Sequence, residues 1–237
     1  MFARFLALSV HAFTASGLIF GFLALVATIE GQMGWAFFYL GMALIIDGID
    51  GTFARAAKVK THTPGVDGVT LDNVIDFFTY VIIPALMVWQ WELVPLGWGT
   101  TTGCLILLAG GYTYAQAGMK AADNSFVGFP ALWNLVVFYI VLLGLGPWAA
   151  LGLILVCALL TAVPTPYIHP FRTPLFGQEW INWAMVAVWI SAASVQAYQV
   201  FALGNPATAS LPWFIALTVS SAYFALLSFA WPLLRQK

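Results

Sequence analysis

The sequence predicts an all-α integral membrane protein, a bundle of about eight transmembrane helices with an N-terminal interfacial helix. Three observations predict it. Of the 237 residues, 62% are hydrophobic and 7% charged, and mean hydropathy is +0.93. Soluble domains carry roughly 25% charged residues, so this chain has too little polar surface to face water on all sides. Continuous apolar runs of about the 20 residues that a helix needs to cross lipid recur along the whole length, whereas barrel strands alternate and run only about ten residues. Finally, the 8 Lys and Arg residues all fall on one side once those runs are counted off, as expected where cytoplasmic loops carry the excess of positive charge.

Residues 1–10 hold Arg4 among large apolar side chains and are expected as a short helix lying in the cytoplasmic interface. Spans are expected over residues 12–29, 33–56, 71–89, 100–117, 129–145, 148–163, 180–201 and 211–234. Arg4 precedes the first; Arg55, Lys58 and Lys60 follow the second; Lys120 follows the fourth, Arg172 the sixth, and Arg235 and Lys237 the eighth. The connections near Glu30, Glu92, Gly146 and Asn205 hold no Lys or Arg, which puts both termini in the cytoplasm. Trp35, Trp91, Trp98, Trp148, Trp180, Trp213 and Trp231 lie at or near span ends, as an interfacial belt requires. Cleavage of the first span as a signal peptide would leave the basic residues beside an odd number of crossings, so that span is expected to be retained. Cys104 and Cys157 each sit in a long apolar run and read as small buried hydrophobes, with no disulfide between them. A net charge of -1 and the lack of a basic run exclude a nucleic-acid partner. One domain over residues 1–237 accounts for the whole, and its oligomeric state is open between monomer and homodimer.

A charge inside a span costs about 2.5 to 3.5 kcal/mol, so acids there mark function or tight pairing. Asp47, Asp50, Asp67, Asp72 and Asp76 crowd around a single cytoplasmic loop. Residues three and four apart are neighbours on a helix, so Asp47 and Asp50 share a face of the second span, and Asp72 and Asp76 a face of the third. Asp47 lies roughly 12 Å below the end of its helix at Arg55, so the site should open to the cytoplasm. Packed carboxylates repel, and Arg55 is the only strong base nearby in sequence, which makes a bound cation the natural way to keep them ionised. Hard oxygen ligands point to Mg²⁺ or Mn²⁺. Gly51 and Ala54 fall on the same face as Asp47 and Asp50 and leave a groove for a phosphate-bearing ligand. The same acids can also be read as the ion pathway of a cation-coupled transporter.

Asp47, Asp50, Gly51, Ala54, Arg55, Gly68, Asp72 and Asp76 fill, in order, every fixed position of D-x2-D-G-x2-A-R followed by G-x3-D-x3-D. This pattern resembles the motif of the CDP-alcohol phosphotransferase family. The 12 residues between Arg55 and Gly68 form a longer gap than is usual there, so the resemblance leaves the path of this loop open. Three further segments are similar to the bacterial branch of the family that makes phosphatidylcholine. They are residues 11–17 (HAFTASG), 126–134 (FVGFPALWN) and 163–170 (VPTPYIHP).

The resemblance implies transfer of a phosphatidyl group from CDP-diacylglycerol to free choline, with release of CMP. It makes Asp47, Asp50, Asp72 and Asp76 the ligands of a two-metal site holding Mn²⁺ or Mg²⁺, and Asp76 also the general base. Gly51, Thr52, Ala54, Arg55 and Gly68 fall at nucleotide- or phosphate-contacting positions, and the acyl tails stay among membrane lipids. A quaternary ammonium is usually held by aromatic faces. Tyr80, four residues after Asp76, is the best-placed candidate, with Trp133 and Tyr112 on later spans, and Tyr139 beyond them. The later spans are almost free of basic residues, which suits an acceptor without a phosphate; serine, glycerol phosphate and inositol phosphate are the alternatives within the family. Lys58, Lys60, His62 and Asp67 read as a solvated loop, His11 equally as a packing or a groove-lining group, and His169 and Arg172 as interfacial anchors.

Overall fold

A computed structural model describes residues 1–116, 125–168 and 179–234. Lys120, Asp123, His169, Arg172, Arg235 and Lys237 lie outside the described residues, as does the side chain of Trp231. Each of the eight expected runs holds a helix. These are α1 (Phe2–Ile29), α2 (Met33–Ala56), a third span built from α4 (Gly68–Asp76) and α5 (Ile83–Gln90), α6 (Gly99–Ala115), α7 (Trp133–Leu142), α8 (Pro147–Ala162), α9 (Glu179–Ala197) and α10 (Leu211–Leu234), with a one-turn α3 (Val59–His62) in the loop after α2. Among the described residues, α1, α2, the third span, α9 with its extension and α10 are long and apolar enough to cross a membrane. Helices α6, α7 and α8 are shorter, with 17, 10 and 16 residues. Helix α7 falls well short of the expected 129–145, and at its amino-terminal side the chain is turned out of the helix at Ala131, which sits at a φ of 54°. Residues 129–132 are thereby kept out of the helix.

The amino-terminal segment is helical, as expected, but it is not a separate interfacial element. Residues 2–29 form one unbroken helix, because no proline or glycine interrupts the chain before Gly17 and nothing ends the first turns. The third span is the centre of the bundle and packs against α1, α6 and α7. Small residues let these helices approach closely, as in other helix pairs within lipid. A Cβ on Gly21 would stand 2.8 Å from Phe78, one on Gly17 would stand 3.0 Å from Ile75, and one on Gly110 would collide with Val81. The core closes over Tyr80, Val81, Ile83, Met87, Ile106, Trp133 and Ile140. Large apolar side chains such as Ile19, Phe22, Leu108, Leu159 and Phe229 cover the outside, a surface suited to lipid rather than to water.

Between α4 and α5 the helix widens over Phe77–Ile82, and the Ile83 amide donates to the Phe78 carbonyl five residues back. Pro84 gives the physical reason. It has no N–H for the Tyr80 carbonyl, and its ring crowds that carbonyl. The segments 126–134 and 163–170 meet in space, where Phe126–Val127 pairs antiparallel with Pro166–Tyr167. Gly128 follows the first strand at a φ of +80°, and a Cβ there would lie 2.7 Å from the Thr161 carbonyl oxygen, so only glycine fits. Tyr139 ties three helices: its hydroxyl lies 2.5 Å from Ser221 Oγ on α10 and accepts a 2.7 Å bond from Trp189 Nε1 on α9.

Candidate active site

The site is built where the carboxy-terminal half of α2 faces α4. Asp47 and Asp50 are one turn apart on α2, and Asp72 projects from α4. One carboxylate oxygen from each of Asp47, Asp50 and Asp72 lies within 4.8 Å of the other two, close enough to share a metal ion. Asp50 is only 6% exposed, and a buried carboxylate next to two others calls for a cation to offset desolvation and mutual repulsion. The donors are all hard oxygens, the set that suits a divalent ion of the magnesium or manganese kind. Asp76 stands outside this trio, one helical turn beyond Asp72 at the end of α4, where the widened turn begins.

Tyr80 reaches the trio through its hydroxyl, which donates a 2.6 Å hydrogen bond to Asp47 Oδ2. Tyr114, near the end of α6, lies within electrostatic reach of Asp76, Asp47 and Asp72 and sets its ring edge-on to Phe77 at 5.8 Å. Tyr112, two residues earlier, is 53% exposed on the other face of α6. Trp133 is wholly buried and packs 5.0 Å from Phe129. No sequence signal singled out Tyr114, because only the packing of α6 on the third span decides which of two nearby tyrosines faces the acids.

On the outer rim, Arg55 lies exposed in the last turn of α2, with its Nη2 donating 2.9 Å to Thr52 Oγ1. Helix α2 ends at Ala56 with Ala57 as its cap, Lys58 turns through the left-handed region, and α3 carries the chain back over the amino-terminal part of α1. There Ala57 and Val59 bury against Ala7 and Val10. Thr63 Oγ1 donates to the Val59 carbonyl oxygen at 2.8 Å and so accepts from His11 Nε2 at 3.0 Å, which places a proton on that nitrogen. His11, 9% exposed, is therefore a brace for the loop. It also explains Gly68, where a Cβ would stand 3.1 Å from His11 Cε1.

Asp67 caps α4. Its Oδ1 accepts from the amides of Val69 and Thr70 at 3.0 and 3.2 Å, and its Oδ2 from the Thr70 hydroxyl at 2.7 Å. The Thr70 hydroxyl, followed by the amides, holds this carboxyl below the ordinary aspartate range. Asp67 is exposed, as the solvated-loop reading expected, and an Asp directly before an apolar run is in addition a legible cap signal.

The motif residues thus converge in space as well as in order. The family model for CDP-alcohol phosphatidyltransferase matches residues 7–164. The chain belongs to the CDP-alcohol phosphatidyltransferase family. It is therefore a transferase, and the family match runs from α1 to just past α8, containing every carboxylate of the site. Relatives extend the likeness further. A phosphatidylcholine synthase of Pseudomonas aeruginosa is 39% identical over 216 residues, 91% of this chain and 87% of that protein. One of Mesorhizobium japonicum is 36% identical over 92% of this chain and 84% of its own length, and one of Borreliella burgdorferi 32% identical over 92% and 94%. As a CDP-alcohol phosphatidyltransferase with several apolar spans, the chain is a multi-pass membrane protein.

Proposed function

We propose that the protein transfers the phosphatidyl group of CDP-diacylglycerol to free choline and releases CMP, at a site on the cytoplasmic side of a bacterial inner membrane. The observation that carries this reading is the meeting of three motif carboxylates within 4.8 Å at the junction of two spans, in a chain that shares most of its length with phosphatidylcholine synthases. Asp47, Asp50 and Asp72 hold divalent metal, with Asp76 completing a second position. Bound there, Mg²⁺ or Mn²⁺ supplies positive charge at the attacked phosphorus and at the departing phosphate. Arg55, with Thr52 beside it, presents a fork of donors to the nucleotide phosphates, and Gly51, Ala54 and Gly68 leave room for the nucleotide against the backbone. Asp76 takes the proton of the choline hydroxyl as that oxygen bonds to phosphorus, the bond to CMP breaks and CMP departs.

The quaternary ammonium of choline needs an aromatic face, and Tyr114 joins Tyr80 as an aromatic beside the carboxylates. Purified protein in lipid nanodiscs, given CDP-diacylglycerol, choline and Mn²⁺, should release CMP in step with phosphatidylcholine. No release with either Mn²⁺ or Mg²⁺ would overturn the reading, and faster release with serine, glycerol phosphate or inositol phosphate would remove choline as the acceptor.

A further inference from the structure

We propose that Tyr80 is a positioning residue for metal capture and sets the orientation of the Asp47 carboxylate through its hydroxyl; this rests on the reading of Asp47, Asp50 and Asp72 as metal ligands. The last torsion of an aspartate is broad and roughly two-fold, so the side chain by itself does not decide where its oxygens point. An outside partner must. Tyr80 is suited to the task because it is only 5% exposed and sits in the core beside the fully buried Val81. Its ring has no room to swing. The 2.6 Å bond to Asp47 Oδ2 has the length of a charge-assisted O–H···O⁻ contact, among the stronger hydrogen bonds available to a protein.

The bond also joins the two elements that supply the carboxylates. Asp47 comes from α2, and Tyr80 comes from the widened turn that follows Asp72 and Asp76 on the third span. Tyr80 therefore fixes the carboxylate of one helix relative to the ligands on the other before any ion arrives. Outer-sphere hydrogen bonds of this kind typically change metal affinity about 10- to 100-fold when removed.

The test is direct Mn²⁺ binding to the purified full chain, read from the free-ion electron paramagnetic resonance signal and combined with steady-state kinetics. Tyr80→Phe keeps the ring and removes only the hydroxyl. It should weaken Mn²⁺ binding about 10- to 100-fold, recover turnover at high Mn²⁺, and leave the choline KM at saturating metal unchanged. In an Asp47→Ala background, which removes the acceptor altogether, the same change should add no further loss. Wild-type Mn²⁺ affinity in Tyr80→Phe, alongside lost affinity in Asp47→Asn, would overturn the positioning role and leave the metal trio standing. A raised choline KM with unchanged metal affinity would overturn it too, in favour of direct contact with the acceptor. Undiminished Mn²⁺ binding in Asp47→Asn and Asp50→Asn would remove the metal reading and this proposal together.

Discussion

Aspartates that look alike in sequence have different surroundings in the fold, and the differences predict different failures. Asp50 is buried within the trio, so Asp50→Asn should abolish metal binding and turnover together. Asp76 stands outside the trio, so Asp76→Asn should keep nucleotide binding while kcat falls about 10²- to 10⁴-fold, the usual worth of a general base. Calorimetric titration with a CDP ligand, set beside CMP release, checks both. Tyr114→Ala should raise the choline KM roughly 2- to 30-fold, the span of one cation–π contact, with the KM for CDP-diacylglycerol little changed. Asp67 titrates at the head of α4. Its carboxyl is held below the ordinary range, so the stability it contributes is present above the unfolded-state pKa and is lost as pH falls through the lower folded value. Melting followed from neutral pH down through that acidic window should show this loss in the wild type. Asp67→Asn, which still caps but cannot titrate, should lack that component.

At the scale of elements, close approach and a widened turn do the positioning. Gly110 faces the fully buried Val81 without room for a methyl group, so Gly110→Ala should destabilise the fold by about 1 to 3 kcal/mol, the usual cost of overpacking. Denaturant unfolding in mixed micelles measures it. Pro84→Ala restores an amide to the Tyr80 carbonyl and should draw the widened turn toward a regular α-helix. Turnover should then fall while the melting temperature stays at or above that of the wild type; an unchanged rate would show that the turn has no part in placing Tyr80. Much of this level was legible from the chain. The expected runs 33–56 and 211–234 coincide with Met33–Ala56 and Leu211–Leu234, since apolar runs between polar connections delimit helices wherever lipid is the solvent. Asp47, Asp50 and Asp72 were legible because three- and four-residue spacing fixes a helix face. Tyr114 in place of Tyr112, the His11–Thr63 bond and the unbroken α1 were not, because each depends on contacts between segments far apart in sequence.

For the whole molecule, the one-sided distribution of basic residues makes topology the quantity to measure. In a Cys104→Ala background, a cysteine introduced at the exposed Thr61 should react with a membrane-impermeant thiol reagent only from the cytoplasmic face, and one introduced at Asn205 only from the opposite face. The reverse pattern would invert the proposed orientation and move the carboxylates away from a cytoplasmic nucleotide. The same architecture bears on how the amino terminus can be handled. Because Ala7, Val10 and His11 support the turn after α2, the first three turns of α1 act as a strut beneath the rim that carries Arg55. Trimming or bulky tagging at that end would leave every ligand residue in place yet slacken the frame that holds them, so affinity handles belong at the opposite terminus.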